Sequence, residues 1–205
     1  MDLPDTSQVR RRLVGAGLIG LAGSLLPRLA SRASAGTSDA TTTTAPPQRP
    51  TVDDVPLLQF AQTIELAAVA LYDVALRTGG LGDDLLATVT ATRADHLAYA
   101  QALSGQLGTS APGSPAADVV EAARESFATG DDVQTATAAH QLEDVAVATH
   151  SELIGQLLGT DGAALIASIL IVEARHSLVF GALAGISELD DLLLTNGDPL
   201  SPEKG

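Results

Sequence analysis

The chain contains no cysteine and no tryptophan, and aromatic residues make up only 2 % of its 205 positions. Without cysteine there can be no disulfide, iron–sulfur cluster, thiolate zinc site or lipid attachment at a cysteine. Any bound metal must therefore be held by carboxylate and imidazole, donors that suit iron, manganese and zinc. The scarcity of aromatics and of β-branched runs leaves little material for a sheet. The 45 % of hydrophobic residues is mostly Ala, Leu and Val, and Ala and Leu favour helix and close helix packing. Composition alone predicts an all-α protein.

Positive charge is the other scarcity. Eleven Lys and Arg stand against 25 Asp and Glu, for a formal net charge of −14. Five of the arginines lie in the first 35 residues; beyond them 6 basic residues face 23 acidic ones, a formal charge of −17. Such a surface repels nucleic acid and anionic lipid and attracts cations. No nucleic-acid partner is expected, and the acidity reads as a solubilising surface.

A long hydrophobic run near the start is also missing. Arg10-Arg11-Arg12 precedes an apolar stretch, Leu13 to Leu26, too short to span a bilayer of ~30 Å. With Ala33-Ser34-Ala35 as a small-residue cleavage site, residues 1–35 have the three regions of a secretory signal. The consecutive arginines and the basic Arg28 and Arg32 resemble a twin-arginine signal, which exports proteins already folded. An ordinary secretory signal or an uncleaved anchor is the alternative. The protein is therefore expected outside the cytoplasmic membrane (periplasm, envelope or medium), with no stable membrane span after processing. Residues 36–52 are rich in Thr and Pro and lack apolar periodicity, so a disordered linker is expected there.

From Asp53 onward apolar residues recur at three and four, the helical period. Four long helices are predicted: one from Asp53-Asp54, which can cap it, to Gly79-Gly80; one over Asp83–Leu107; one from Asp131 to Leu158; and one from Asp161 to Leu183. The first and third connections are short, which makes antiparallel hairpins. The middle connection has about 23 residues, including a helical ADVVEAARESF segment. A 25-residue helix is about 37 Å long, and a link of that length can return along it. Helices two and three can therefore run parallel. The bundle is read as residues 53–187, with a C-terminal tail at 188–205.

Each long helix carries an ionisable residue inside an apolar stretch: Glu65, His96, Glu143, and the pair Glu173 and His176, whose spacing places both on one helix face. Carboxylates are rarely buried without a partner. A lone buried Glu and His are most simply a hydrogen-bonded pair, but four helices carrying such groups at similar depth argue for convergence.

The segments FAQTIELAAVALYDVAL, DHLAYAQALSGQLG, HQLEDVAVATHSELIG and ILIVEARHSLVFGALAG resemble the four core helices of the ferritin-like superfamily, and in particular exported bacterial ferritin-like domain proteins. The resemblance covers about residues 54–186. It implies a ferritin-like four-helix bundle with a long crossover between helices two and three. It also implies a dinuclear centre: Glu65 and His96 on one metal, Glu143 and His176 on the other, and Glu173 bridging. A second bridging Glu is implied three residues before His96, where this chain has Arg93. Asp95 lies about 100° around the helix from His96 and is a poor substitute.

An arginine there can pair with carboxylates in place of metal. The expectation is therefore a degenerate carboxylate–histidine metal centre, metal-free or with a single metal and non-catalytic, with stress protection or a binding role open to it. If Arg93 turns outward, the alternative is a dinuclear iron or manganese oxidoreductase acting on oxygen, peroxide or ferrous ion. His140 and His150 are expected mainly at the surface or a helix end, with a supporting role near Glu143 as the alternative. Tyr72, seven after Glu65, can hydrogen-bond a ligand carboxylate or serve as ordinary core filling. Protein partners and homo-oligomerisation are left open by the sequence.

Overall fold

The computed structural model describes residues 45–202. The segment expected to be a secretory signal, 1–35, and most of the expected linker, 36–52, lie outside the described residues. Four long helices follow the apolar period: α1 (Asp54–Thr78), α2 (Asp83–Leu107), α4 (Asp132–Ile154) and α5 (Thr160–Ala184). Between α2 and α4 run a 3-10 turn, Gly108–Ser110, and α3 (Ala117–Phe127), the segment read as helical from sequence. A short α6, Leu189–Leu193, lies in the tail.

Contacts at the bundle ends give the topology. At one end, Gly80 and Gly130 both have positive φ, and a Cβ on Gly80 would lie 3.0 Å from the Gly130 carbonyl oxygen. Both need glycine, for conformation and for close backbone approach. Beside them the Gly82 N–H donates to Asp132 Oδ1 at 2.9 Å, so α2 and α4 start together. At the other end the start of α1 meets the α4–α5 loop. The four helices therefore run up, down, down, up, with the crossover returning along α1, where Ala116 N–H donates to the Thr63 carbonyl. This is the all-α ferritin-like bundle.

Asp54 has a different task from the cap expected of it. It is fully buried, and its carboxylate accepts the N–H groups of Thr51, Leu158 and Gly159 at 2.7, 2.7 and 2.9 Å. It ties the first helix to the loop joining α4 and α5. That capture, together with Gly155, ends α4 at Ile154 rather than Leu158. The linker is also ordered at its end. The carbonyls of Pro47 and Gln48 accept from Thr160 and Asp161, satisfying N–H groups at the start of α5 that have no partner within the helix.

Two apolar clusters fill the bundle. One has an aliphatic centre that includes Leu58, Leu103, Leu153, Ile166 and Ile169, with Phe60 and Tyr99 packed against it. The other holds the fully buried aromatics: Tyr72 stacks on Phe180 and meets Phe127 edge-on. By length and composition α1 and α5 would pass as membrane spans, a test that bundle-core helices also meet. Each of them carries a fully buried glutamate into the core.

Candidate metal centre

The core stripe of α1 reads Leu58, Ala61, Glu65, Ala68, Tyr72, Ala75, and that of α4 reads Ala136, Ala139, Glu143, Ala146, His150, Leu153; all twelve residues are buried. Steps of three and four keep such residues on one face. The polar members therefore point inward because their apolar neighbours do. His96 on α2 and Glu173 on α5 are buried in the same way.

The structure brings together Glu65, His96, Glu143, Glu173 and His176, and adds His150. His96 lies between two carboxylates, with Nδ1 2.6 Å from Glu65 Oε2 and Nε2 3.0 Å from Glu143 Oε1. His150 Nδ1 is 2.7 Å from Glu173 Oε2, and its Nε2 is 3.6 Å from Glu65 Oε1. His176 Nδ1 is 3.4 Å from Glu143 Oε2, and Nε2 is 3.3 Å from Asp95 Oδ2. The Tyr72 hydroxyl donates to Glu143 Oε1. The result is an alternating series of carboxylates and imidazoles that reaches solvent at the half-exposed Asp95.

Several pKa values respond to this crowding. Burial disfavours the charged form of His96, but Glu143 and Glu65 outweigh it and raise the pKa well above the ordinary imidazole value. Burial likewise opposes protonation of His150, and Glu173 reverses the balance and raises it. His176 is raised to about 9 by Asp95 and Glu143 against the effect of burial. Burial works against the Glu143 anion, yet His96 and His176 hold its carboxyl well below the usual range. Burial pushes Glu173 up to about 7; His150 opposes the rise and Glu65 adds to it. Three carboxylates thus face three imidazoles able to carry charge.

The cluster is not satisfied by its own members. Among the described residues the buried side-chain atoms without a hydrogen-bond partner are Glu65 Oε1, Glu143 Oε2, His150 Nε2, Glu173 Oε1 and His176 Nδ1. All five belong to this cluster. Buried polar atoms are almost always paired, so five together mark a cluster that could hold a ligand. His96, Glu143 and His176 form one group with donor atoms close enough to share a cation, and Glu65, His96 and Glu173 form another. The donor set of carboxylate and imidazole suits iron, manganese or zinc.

Arg93 corrects the expectation of an internal guanidinium. It leaves the cluster and pairs with Asp73 on α1, Nε to Oδ1 at 2.8 Å and Nη2 to Oδ2 at 3.3 Å, with both side chains about one-third exposed. The reason is angular. The inward residues of α2 include Val89, Thr92 and His96, so position 93 lies on the flank facing α1. The expectation for the other two histidines is corrected as well, because both His140 and His150 are buried. His140 stays outside the cluster, in a separate network with Ser177 and Asp144. His150 was legible as the residue seven after Glu143 on the same stripe, but its nearness to the helix end suggested the surface.

An all-helical bundle with glutamates and histidines from four helices meeting on its axis defines a class of potential metal-binding bundles. Residues 53–185 match the family model of the ferritin-like domain, and the chain belongs to that family. No curated protein and no solved structure matches it.

Proposed function

We propose that this is an exported ferritin-like protein whose bundle core binds a divalent transition-metal ion. The observation that carries the reading is the set of five buried, partnerless donor atoms converging from three helices. Without a cation, protonated His96, His150 and His176 neutralise the three glutamates; loading replaces those protons with metal charge. The strongly acidic surface raises the local cation concentration, and Asp95 offers an exposed carboxylate in front of His176. Export is supported by the arginine-led N-terminal segment and its small-residue site. Folded export lets a metal be acquired before the protein leaves the cell.

A binding role rather than catalysis is the primary reading, with iron, manganese and zinc as the candidate ions. The outward turn of Arg93 removes the argument for a core filled by an internal salt bridge. A second reading, an iron or manganese oxidoreductase acting on oxygen, peroxide or ferrous ion, is favoured by the two-histidine, one-carboxylate set of His96, His176 and Glu143. Iron or manganese held there would supply Lewis acidity and one-electron chemistry. Around it, Tyr72 would orient Glu143, and the apolar clusters on either side would exclude water.

The test is metal content. The full chain, expressed with added iron, manganese and zinc and then desalted, should retain metal, and the Glu143→Gln/His176→Gln double variant should retain less. Wild-type protein that folds and leaves the column without metal would contradict the reading. Oxygen consumption by the ferrous-loaded protein above that of the double variant would select the second reading.

A further inference from the structure

We infer that the face formed by α2 and α5 is the interface of a two-fold symmetric dimer, with a second copy of this chain as its occupant. The inference is independent of whether the core holds metal.

Two faces of the bundle are covered by the chain itself. The crossover helix α3 lies against α1 and α4. The tail lies against α4 and the adjoining side of α5, where Leu200 bonds Thr149 and Leu192 meets Gly181. The α1–α2 face carries the charges of Asp73, Arg77 and Arg93. Over α2 and α5 the surface is open: Ala98, Ala102 and Arg175 are exposed, and Ile171 is 55 % exposed. Only 28 % of the most apolar stretch of α5 is buried, against 56 % in α1. A helix this apolar that turns so much of itself outward marks an interaction surface.

The acidity of the chain avoids this face. Beyond residue 35 there are 23 acidic residues, yet residues 85–107 of α2 and 162–184 of α5 hold only Asp95 and the buried Glu173. A chain so acidic repels its own copies. Two of them can meet where like charge is missing.

Shape and charge on the face complement themselves. On α2, Ala91, Ala98 and Ala102 stand three, four or seven residues from Asp95 and share its side of the helix; on α5, Ile171, Val172 and Val179 stand three or four from Arg175. The alanines make a shallow groove and the β-branched residues a ridge. A two-fold axis parallel to the helices lays α5 of one copy over α2 of the other, so that ridge meets groove twice. His176 Nε2 is 3.3 Å from Asp95 Oδ2, which puts the adjoining Arg175 at the height of Asp95 along the bundle. The same axis therefore sets each Arg175 opposite Asp95 of the second copy.

The area suffices. Two helices of 25 residues, each about 37 Å long and about 8–10 Å apart, present on the order of 700 Å² per copy. A stable interface takes roughly 800 Å² per partner.

Sedimentation equilibrium of the full chain, from micromolar to millimolar concentration, is the test. The wild type should reach twice the mass of the chain. Ile171→Lys and Ala98→Arg, at exposed positions that leave the bundle folded, should sediment as monomers with an unchanged helical circular-dichroism spectrum. Arg175→Asp should weaken the dimer about tenfold or more, and adding Asp95→Arg should restore it, a rescue that a general loss of surface charge balance would not give. A wild type that stays monomeric overturns the interface without any variant; if it also floats with phosphatidylcholine vesicles, the face belongs to lipid instead. A dimer that survives both Ile171→Lys and Ala98→Arg lies on another face and overturns the inference as well.

Discussion

The protein buries polar groups in two kinds of place, and they are treated in opposite ways. Asp54, Gln62 and the Asp144–Ser177–His140 network sit at the ends and flanks of the bundle, and each finds partners. Asp54 accepts three backbone N–H groups. Gln62 binds Ala100, Ser104 and Gly113. Asp144 accepts from Ser177 and from the tail at Asn196. On the bundle axis, glutamates and histidines just as buried leave five atoms without a partner. The same chain can therefore satisfy buried carboxylates where structure alone requires it. The difference sets the axial cluster apart: its own hydrogen-bonding groups do not satisfy it, and its donor atoms lie close enough together to hold a cation.

Breaking the satisfied side of the comparison should have the largest effect. Asp54→Ala strands the N–H groups of Leu158 and Gly159, and thermal melts should show a loss of about 3 kcal/mol, roughly 10 °C, whether or not metal is present. The unsatisfied side should respond less. In chelator-treated protein below neutral pH Glu173→Gln should shift the melting temperature less than Asp54→Ala does, because burial pushes Glu173 up to about 7, so that Gln replaces a carboxyl already largely neutral there and leaves an acceptor for His150. Its main cost should appear as a lost response to metal.

The pH dependence sharpens the contrast. Glu173 is raised to about 7 and His176 to about 9, so between their unfolded and folded pKa values the native state holds more protons. Stability supplied by these groups is complete at low pH and falls as pH rises. Chelated protein should therefore lose melting temperature from about pH 5 to pH 9, measured by circular dichroism. Metal binding should tighten over the same range, since the ligands must be deprotonated. The smallest effect belongs to Arg93. Its pair with Asp73 is partly exposed, and such pairs contribute about 1 kcal/mol or less. Arg93→Ala should barely shift the melt and should leave metal content unchanged.

Much of this was legible in the sequence because it depends on period. The three-and-four spacing located the long helices, and the crossover length permitted a parallel second and third helix. Inward placement of Glu65, Glu143 and Glu173 followed from their apolar neighbours. What stayed hidden depends on azimuth and on distant contacts. Arg93, read by its spacing from His96, sits on a flank where Asp73 meets it, and no local pattern links residues twenty apart. His150 shares a stripe with Glu143, but how far the last turns of a helix are covered depends on what packs there. Here the tail crosses α4, with Leu200 N–H donating to Thr149 Oγ1. Asp54 looked like a cap because its loop partners lie more than a hundred residues away.

The most direct test of the central claim is the melting temperature of chelator-treated full-length protein, titrated with manganese(II), ferrous iron without oxygen, and zinc(II) at neutral pH. A ligand at a hundredfold excess over its dissociation constant adds about 2.7 kcal/mol, or roughly 5–10 °C for a domain of this size. At least one of the three should produce a saturating rise of that order that Glu173→Gln lacks. A melt unmoved by all three, in protein that is folded, would show that the partnerless atoms on the axis are not waiting for a cation.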